Sequence, residues 1–177
     1  MSDERILEYG REKGFHAQTL ERWLSMAEPD REAIADLAQA LKPSENHLRD
    51  FLDWLDEISL RDGVSPGKVL LSEPLVRIFS DPRLSRSDKL KRIKEEVRRL
   101  RFPRLSRIED AFRGAVHEMG LSPQIQVAVP PGLEGGTVTV RLKSASYEEL
   151  KRLVGELGRA LETDSARRLF ELLRGES

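Results

Sequence analysis

Apolar residues recur at steps of three and four over most of the chain, and one short region switches to steps of two. The first period is that of a helix with one buried stripe, the second that of a half-buried strand. Residues 6–13 and 19–26 read as short helices separated at Gly14. A third helix is predicted to open at Glu28, Pro29 and Asp30, because proline fits a first turn and acids favour the positive helix end. Its stripe is Ile34, Leu37, Ala38 and Leu41. Ser44 then caps the strongest amphipathic segment, which has Leu48, Phe51, Leu52, Leu55 and Ile58 on one face and Glu45, Arg49, Asp50, Asp53 and Asp56 on the others. Gly63 ends it.

Residues 64–83 mix four prolines and glycines with short apolar clusters, which predicts helical turns joining two halves. Ser85 and Ser87 introduce a basic helix ending near Phe102, because Pro103 removes an amide donor and crowds the preceding turn. A further helix is predicted from about 105 to 119 on Ile108, Phe112, Ala115, Val116 and Met119, with Gly120 as its stop. Residues 124–129 and 137–142 alternate as strands, and 130–136 form their hairpin connection. Ser146 and Glu149 form a capping box for a helix to Leu161, and 165–174 form a last one.

These elements predict a mainly α fold in three segments. Residues 1–63 are a helical domain with a helix-turn-helix-like pair, and 64–103 are connecting turns and the basic helix. Residues 104–177 are a small α+β module of helix, strand, strand, helix, helix with a two-stranded antiparallel hairpin. Two strands alone are rarely stable and their edges invite pairing. A second copy of the chain, giving a four-stranded sheet across a homodimer, is the simplest completion; the alternative is that the helices cover the hairpin within one monomer.

A chain of 177 residues with 38% apolar side chains can build one ordinary core or two modest ones. The absence of cysteine removes disulfides, thiolate zinc sites and cysteine nucleophiles. His16, His47 and His117 lie too far apart in sequence for a metal-ligand spacing, so neither a metal nor a cofactor is expected. The charged start of the chain has no apolar signal region and no apolar run approaches a membrane span, which places the protein in the cytoplasm with no membrane partner.

Charge changes the picture more through its placement than its total, which is −1. Residues 1–62 carry 8 basic and 15 acidic side chains, whereas 77–107 carry 12 basic against 4 acidic. Such segregation suits a face that meets a polyanion such as DNA. It equally suits an internal seam between a basic helix and an acidic half.

The helix pair supplies the candidate reader. Residues 35–52 have the form helix, short turn, helix, with Leu37, Ala38, Leu48 and Phe51 placed to pack together. Ser44, Asn46, His47 and Arg49 would then open the recognition helix, while Lys89, Arg92, Arg98, Arg99, Arg101 and Arg104 would hold phosphates. Lys42 and Pro43 stand where such turns often have glycine, and Asp50, Asp53, Asp56 and Glu57 would repel a phosphate backbone.

Three stretches together carry a family resemblance. Residues 9–24 (Tyr9-Gly-Arg-Glu-Lys-Gly-Phe-His-Ala-Gln-Thr-Leu-Glu-Arg-Trp-Leu24), the helix pair over 35–60, and Arg98-Arg-Leu-Arg-Phe-Pro-Arg-Leu-Ser106 resemble the region downstream of the nucleotide-binding domain in divergent ParB-type DNA partition proteins. The resemblance implies a helix-turn-helix domain and a C-terminal dimerisation module. The arginine-rich motifs of that family's CTP-binding domain have no counterpart in these residues, which puts clamp-type sliding in doubt.

No polar constellation suggests catalysis. Glu95 with Glu96, Glu109 with Asp110 and Glu148 with Glu149 are sequence neighbours on helices and point about 100° apart. Gly135 and Gly136 lack the Lys and Ser/Thr of a phosphate loop, and nothing in the spacing gives Ser44 and His47 an orienting acid. The expectation is a non-catalytic homodimer that binds DNA in partition or transcriptional regulation. The competing expectation is a protein-interaction adaptor using the acidic helical half and the strand edge.

Overall fold

A computed structural model of the chain describes residues 2–130 and 136–174. The fold is mainly α with a small β module. Its elements are α1 (Ser2–Lys13), α2 (Ala17–Leu24), α3 (Glu28–Leu41), α4 (Glu45–Asp62), α5 (Pro66–Leu70), α6 (Glu73–Ser80), α7 (Arg86–Arg101), α8 (Pro103–Glu118), β1 (Ile125–Ala128), β2 (Thr139–Leu142), α9 (Tyr147–Leu161) and α10 (Asp164–Arg174). The chain divides into two compact units, Met1–Phe102 and Pro103–Ser177. Among the described residues no helix is long and apolar enough to cross a membrane.

In the first unit the predicted stripes of α3 and α4 are buried, but neither helix has the other as its main partner. Helix α3 packs chiefly on α5, α1 and α7, while α4 packs on α7, α5 and α2. Leu37, Ala38, Leu48 and Phe51 share a core with Ile6, Trp23, Leu75, Ile93 and Val97. The segment 64–102, expected as a connection beside the helical domain, is therefore part of its core. Val69, Leu70, Leu75, Ile93 and Val97 supply apolar surface without which α3 and α4 would be half bare.

Two polar contacts fix this packing. Asp30, in the first turn of α3, is buried and its Oδ1 accepts the Gly67 amide at 2.8 Å. A Cβ at Gly67 would stand 3.0 Å from that oxygen, so glycine lets the start of α5 close on α3. Tyr9 meets Phe15 and Trp23 edge-on at 5.7 and 6.4 Å, and its hydroxyl donates to the Ala38 carbonyl at 3.2 Å. Burial pushes its phenol pKa up.

In the second unit α8 and α10 pack on each other, with Phe112, Ala115 and Leu169 buried against Val116, Met119, Val127, Val129, Val138 and Leu173. The hairpin is antiparallel, with Ile125 opposite Leu142 and Val127 opposite Val140. Both strands are shorter than the alternation predicted, and residues 131–135 of the expected connection lie outside the described residues. At α9 the Ser146 hydroxyl accepts the Glu149 amide at 3.1 Å. Glu149 reaches back to the Ala145 amide at 2.7 Å rather than to that of Ser146, so the predicted capping box closes one residue early.

Candidate nucleic-acid interface

Periodicity on α7 governs what the first unit can present. Ile93 and Val97 turn inward, so Ser87, Lys91, Lys94 and Arg98 follow one another at steps of four and three along a neighbouring face, with Leu90 beside them. On α4, His47 and Trp54 stand two turns apart. These side chains line one open groove of about 560 Å³, with Glu95 on its wall. The ammonium of Lys94 lies 5.4 Å from the Trp54 ring and the guanidinium of Arg101 lies 5.7 Å from it.

The groove joins His47 from the expected reader to Arg98 from the expected phosphate helix. Trp54, Lys91 and Lys94 were not among the expected site residues. The signal for the two lysines is the step of three and four through 87, 91, 94 and 98, which a count of net charge does not resolve.

Other expected residues have structural employment. The Ser44 hydroxyl accepts the His47 amide at 3.4 Å as the α4 cap. Lys89 donates to the Phe79 carbonyl at 2.6 Å. Arg98 holds Glu95 at 2.9 Å, Arg99 lies 3.8 Å from Glu96, and Arg101 binds Glu57 at 2.8 Å while lying 4.6 Å from the Phe102 ring. Asn46, Arg49 and Arg92 are exposed, Arg49 beside Arg22 in a small cleft. Arg104 is exposed on the first turn of α8, in the second unit.

The acids of α4 are similarly committed. Lys94 binds Asp50 at 2.6 Å, Arg101 binds Glu57 at 2.8 Å, Arg61 binds Asp62 at 2.6 Å, and Arg22 of α2 bridges Asp53 and Asp56. Part of the charge segregation is thus a seam between α4 and α7. These pairs are partly solvated and contribute at most about 1 kcal/mol each.

At the start of α4, Glu45 accepts the Thr19 hydroxyl at 2.5 Å, the His16 amide at 2.9 Å and contacts His16 Nδ1 at 2.7 Å. Those hydrogen bonds, Thr19 first, hold its carboxyl pKa at about 2. They also tie the N-terminus of the expected recognition helix to α2. Arg86, Lys91 and Arg92 are exposed on α7, and Lys91 among them lines the groove.

Compared with known proteins, the chain matches no family model, and no curated protein or solved structure is significantly similar to it.

Proposed function

We propose that this chain is a non-catalytic DNA-binding protein in which the α4–α7 groove and the open cations of α7 hold phosphates and the second unit pairs two copies. The observation that carries the reading is the convergence of His47, Lys91, Lys94 and Arg98 with Trp54 on one open groove, where Lys94 and Arg98 are paired with Asp50 and Glu95 in the unbound chain and Lys91 is exposed. Cations in a groove focus a positive potential, and phosphate contacts displace counterions. The ParB-type resemblance points the same way and suggests a partition or regulatory setting. Phosphate holding is assigned to α7, where the sequence expectation also put it, with the flank of α4 added; the α4 N-terminus, expected to open the recognition helix, is tied to α2 through Glu45.

Pairing is assigned to α9. Tyr147, Leu150, Val154 and Leu161 are 74, 41, 53 and 47% exposed at steps of three and four, with Leu157 half-buried on the same stripe. Leu153 and Ala160, on another face of α9, are buried. A two-fold axis near Val154 sets Tyr147 against Leu161 and Leu150 against Leu157 of the second copy, which is the self-complementarity an isologous interface requires.

The test of the DNA reading is a double variant, Lys91→Ala with Arg92→Ala. Both side chains are exposed, so the fold is retained. Affinity for duplex DNA is expected to fall for all sequences alike, whereas unchanged affinity sinks the groove as a phosphate site.

The α4–α7 seam favours a second reading, a protein-interaction adaptor, because it gives several cations a partner inside the protein. Failure to bind DNA at low salt selects that reading.

A further inference from the structure

A second groove in the first unit shares no residue with the cationic one. Ala33, Leu37 and Ala40 of α3 form one side and Leu71, Val76 and Phe79 the other, enclosing about 530 Å³. Steps of four and three place the α3 residues on one face, and the two alanines leave space that larger side chains would fill. Leu71 is 73% exposed and Val76 41% exposed at this groove. Leaving such side chains in water gains the isolated chain nothing.

The same stretch of α3 carries Glu32 and Asp36 on the groove, one helical turn apart and both exposed. Like charges at that spacing weakly destabilise a helix, and Arg5 at 2.9 Å from Asp36 offsets only one of them. An apolar floor beside two acids is complementary to apolar side chains flanked by cations.

We propose that this groove docks an amphipathic helix of a partner protein, with leucine-like residues at steps of three and four in the groove and lysine or arginine beside them facing Glu32 and Asp36. The volume lies within the range of about 300–1,000 Å³ typical of ligand pockets. It accepts anchors from one to two turns of helix, the usual helix-in-groove arrangement. The proposal is independent of DNA binding, which uses other residues.

The probe is a synthetic helix of about four turns with leucine at groove-facing positions and lysine elsewhere, compared with a twin carrying glutamate for lysine. Fluorescence anisotropy on the full chain is expected to show saturable binding of the lysine peptide and none of the glutamate twin. Leu71→Asp should weaken binding about tenfold or more, and Glu32→Lys should weaken it as well. Leu71 is exposed, so the substitution leaves the fold intact, as circular dichroism will check. Because the new aspartate adds negative charge, nonspecific attraction of the cationic peptide predicts tighter binding to this variant, the opposite sign. Equal binding of the two peptides, or undiminished binding to Leu71→Asp, overturns the proposal. So does self-association of the full chain that Leu71→Asp abolishes, since it would seat a second copy there.

Discussion

Lys42 ends α3 with φ 47° and ψ 54°, in the left-handed region. For a side chain with a Cβ this costs about 1–2 kcal/mol, a cost glycine escapes. Lys42→Gly is therefore expected to raise unfolding free energy by about 1 kcal/mol in urea titrations, and a loss of stability would show that the lysine side chain has a compensating role. The sequence showed lysine and proline in place of the usual turn glycine. It did not show that the backbone keeps the glycine geometry regardless, because the core contacts of α3 and α4 that enforce it lie far apart in sequence.

Glu45 gives a pH signature. Its folded-state pKa is depressed, so its stabilising contacts are fully present above the ordinary value of 4.5 and disappear as pH falls towards about 2. Unfolding midpoints should drop across that window in the parent and drop less in Glu45→Gln. An identical pH profile for the two proteins would remove Glu45 from the account.

Among elements, those with long stripes and defined ends were the most legible. Ser44 and Ser85 cap α4 and α7 at 3.4 and 3.1 Å to the third residue on, as their spacing implied. Partnership between elements was harder to read. A stripe says which face is buried but not against what, so α3 and α4 read as a mutual pair although each rests mainly on α5, α7 or the N-terminal helices. The basic helix was legible as a charge block. Both Lys91 and Lys94 line the groove, but Lys94 is also paired with Asp50 across the seam while Lys91 is exposed, a difference that depends on about one helical turn and on the orientation of α4.

Helix α9 carries a prediction of its own. Gly158 has nothing within 4 Å of where a Cβ would stand, so Gly158→Ala should stabilise the helix by about 0.5–1 kcal/mol. The glycine also flanks the Leu150–Val154–Leu157 stripe, where, in the α9 pairing proposed above, it would let a second helix approach. The same substitution should weaken self-association while raising thermal stability, and strengthening of both would place the dimer contact elsewhere.

For the whole molecule, the second unit buries few large side chains and leaves Val140, Tyr147, Leu150, Val154, Leu161 and Phe170 exposed. That imbalance is the reason to expect a homodimer. Sedimentation of the full chain should show a concentration-dependent dimer that Val154→Glu converts to monomer. A dimer untouched by that change would instead favour sheet pairing along the hairpin edge.

Whether the first unit meets a polyanion is read from the salt dependence of DNA affinity. Each phosphate contact contributes about −0.9 to the slope of log affinity against log salt. The parent chain should bind duplex DNA at low salt with a steep negative slope, and removal of Lys91 and Arg92 should make that slope shallower by about 2. No binding at low salt, or a slope that the double variant leaves unchanged, contradicts the account.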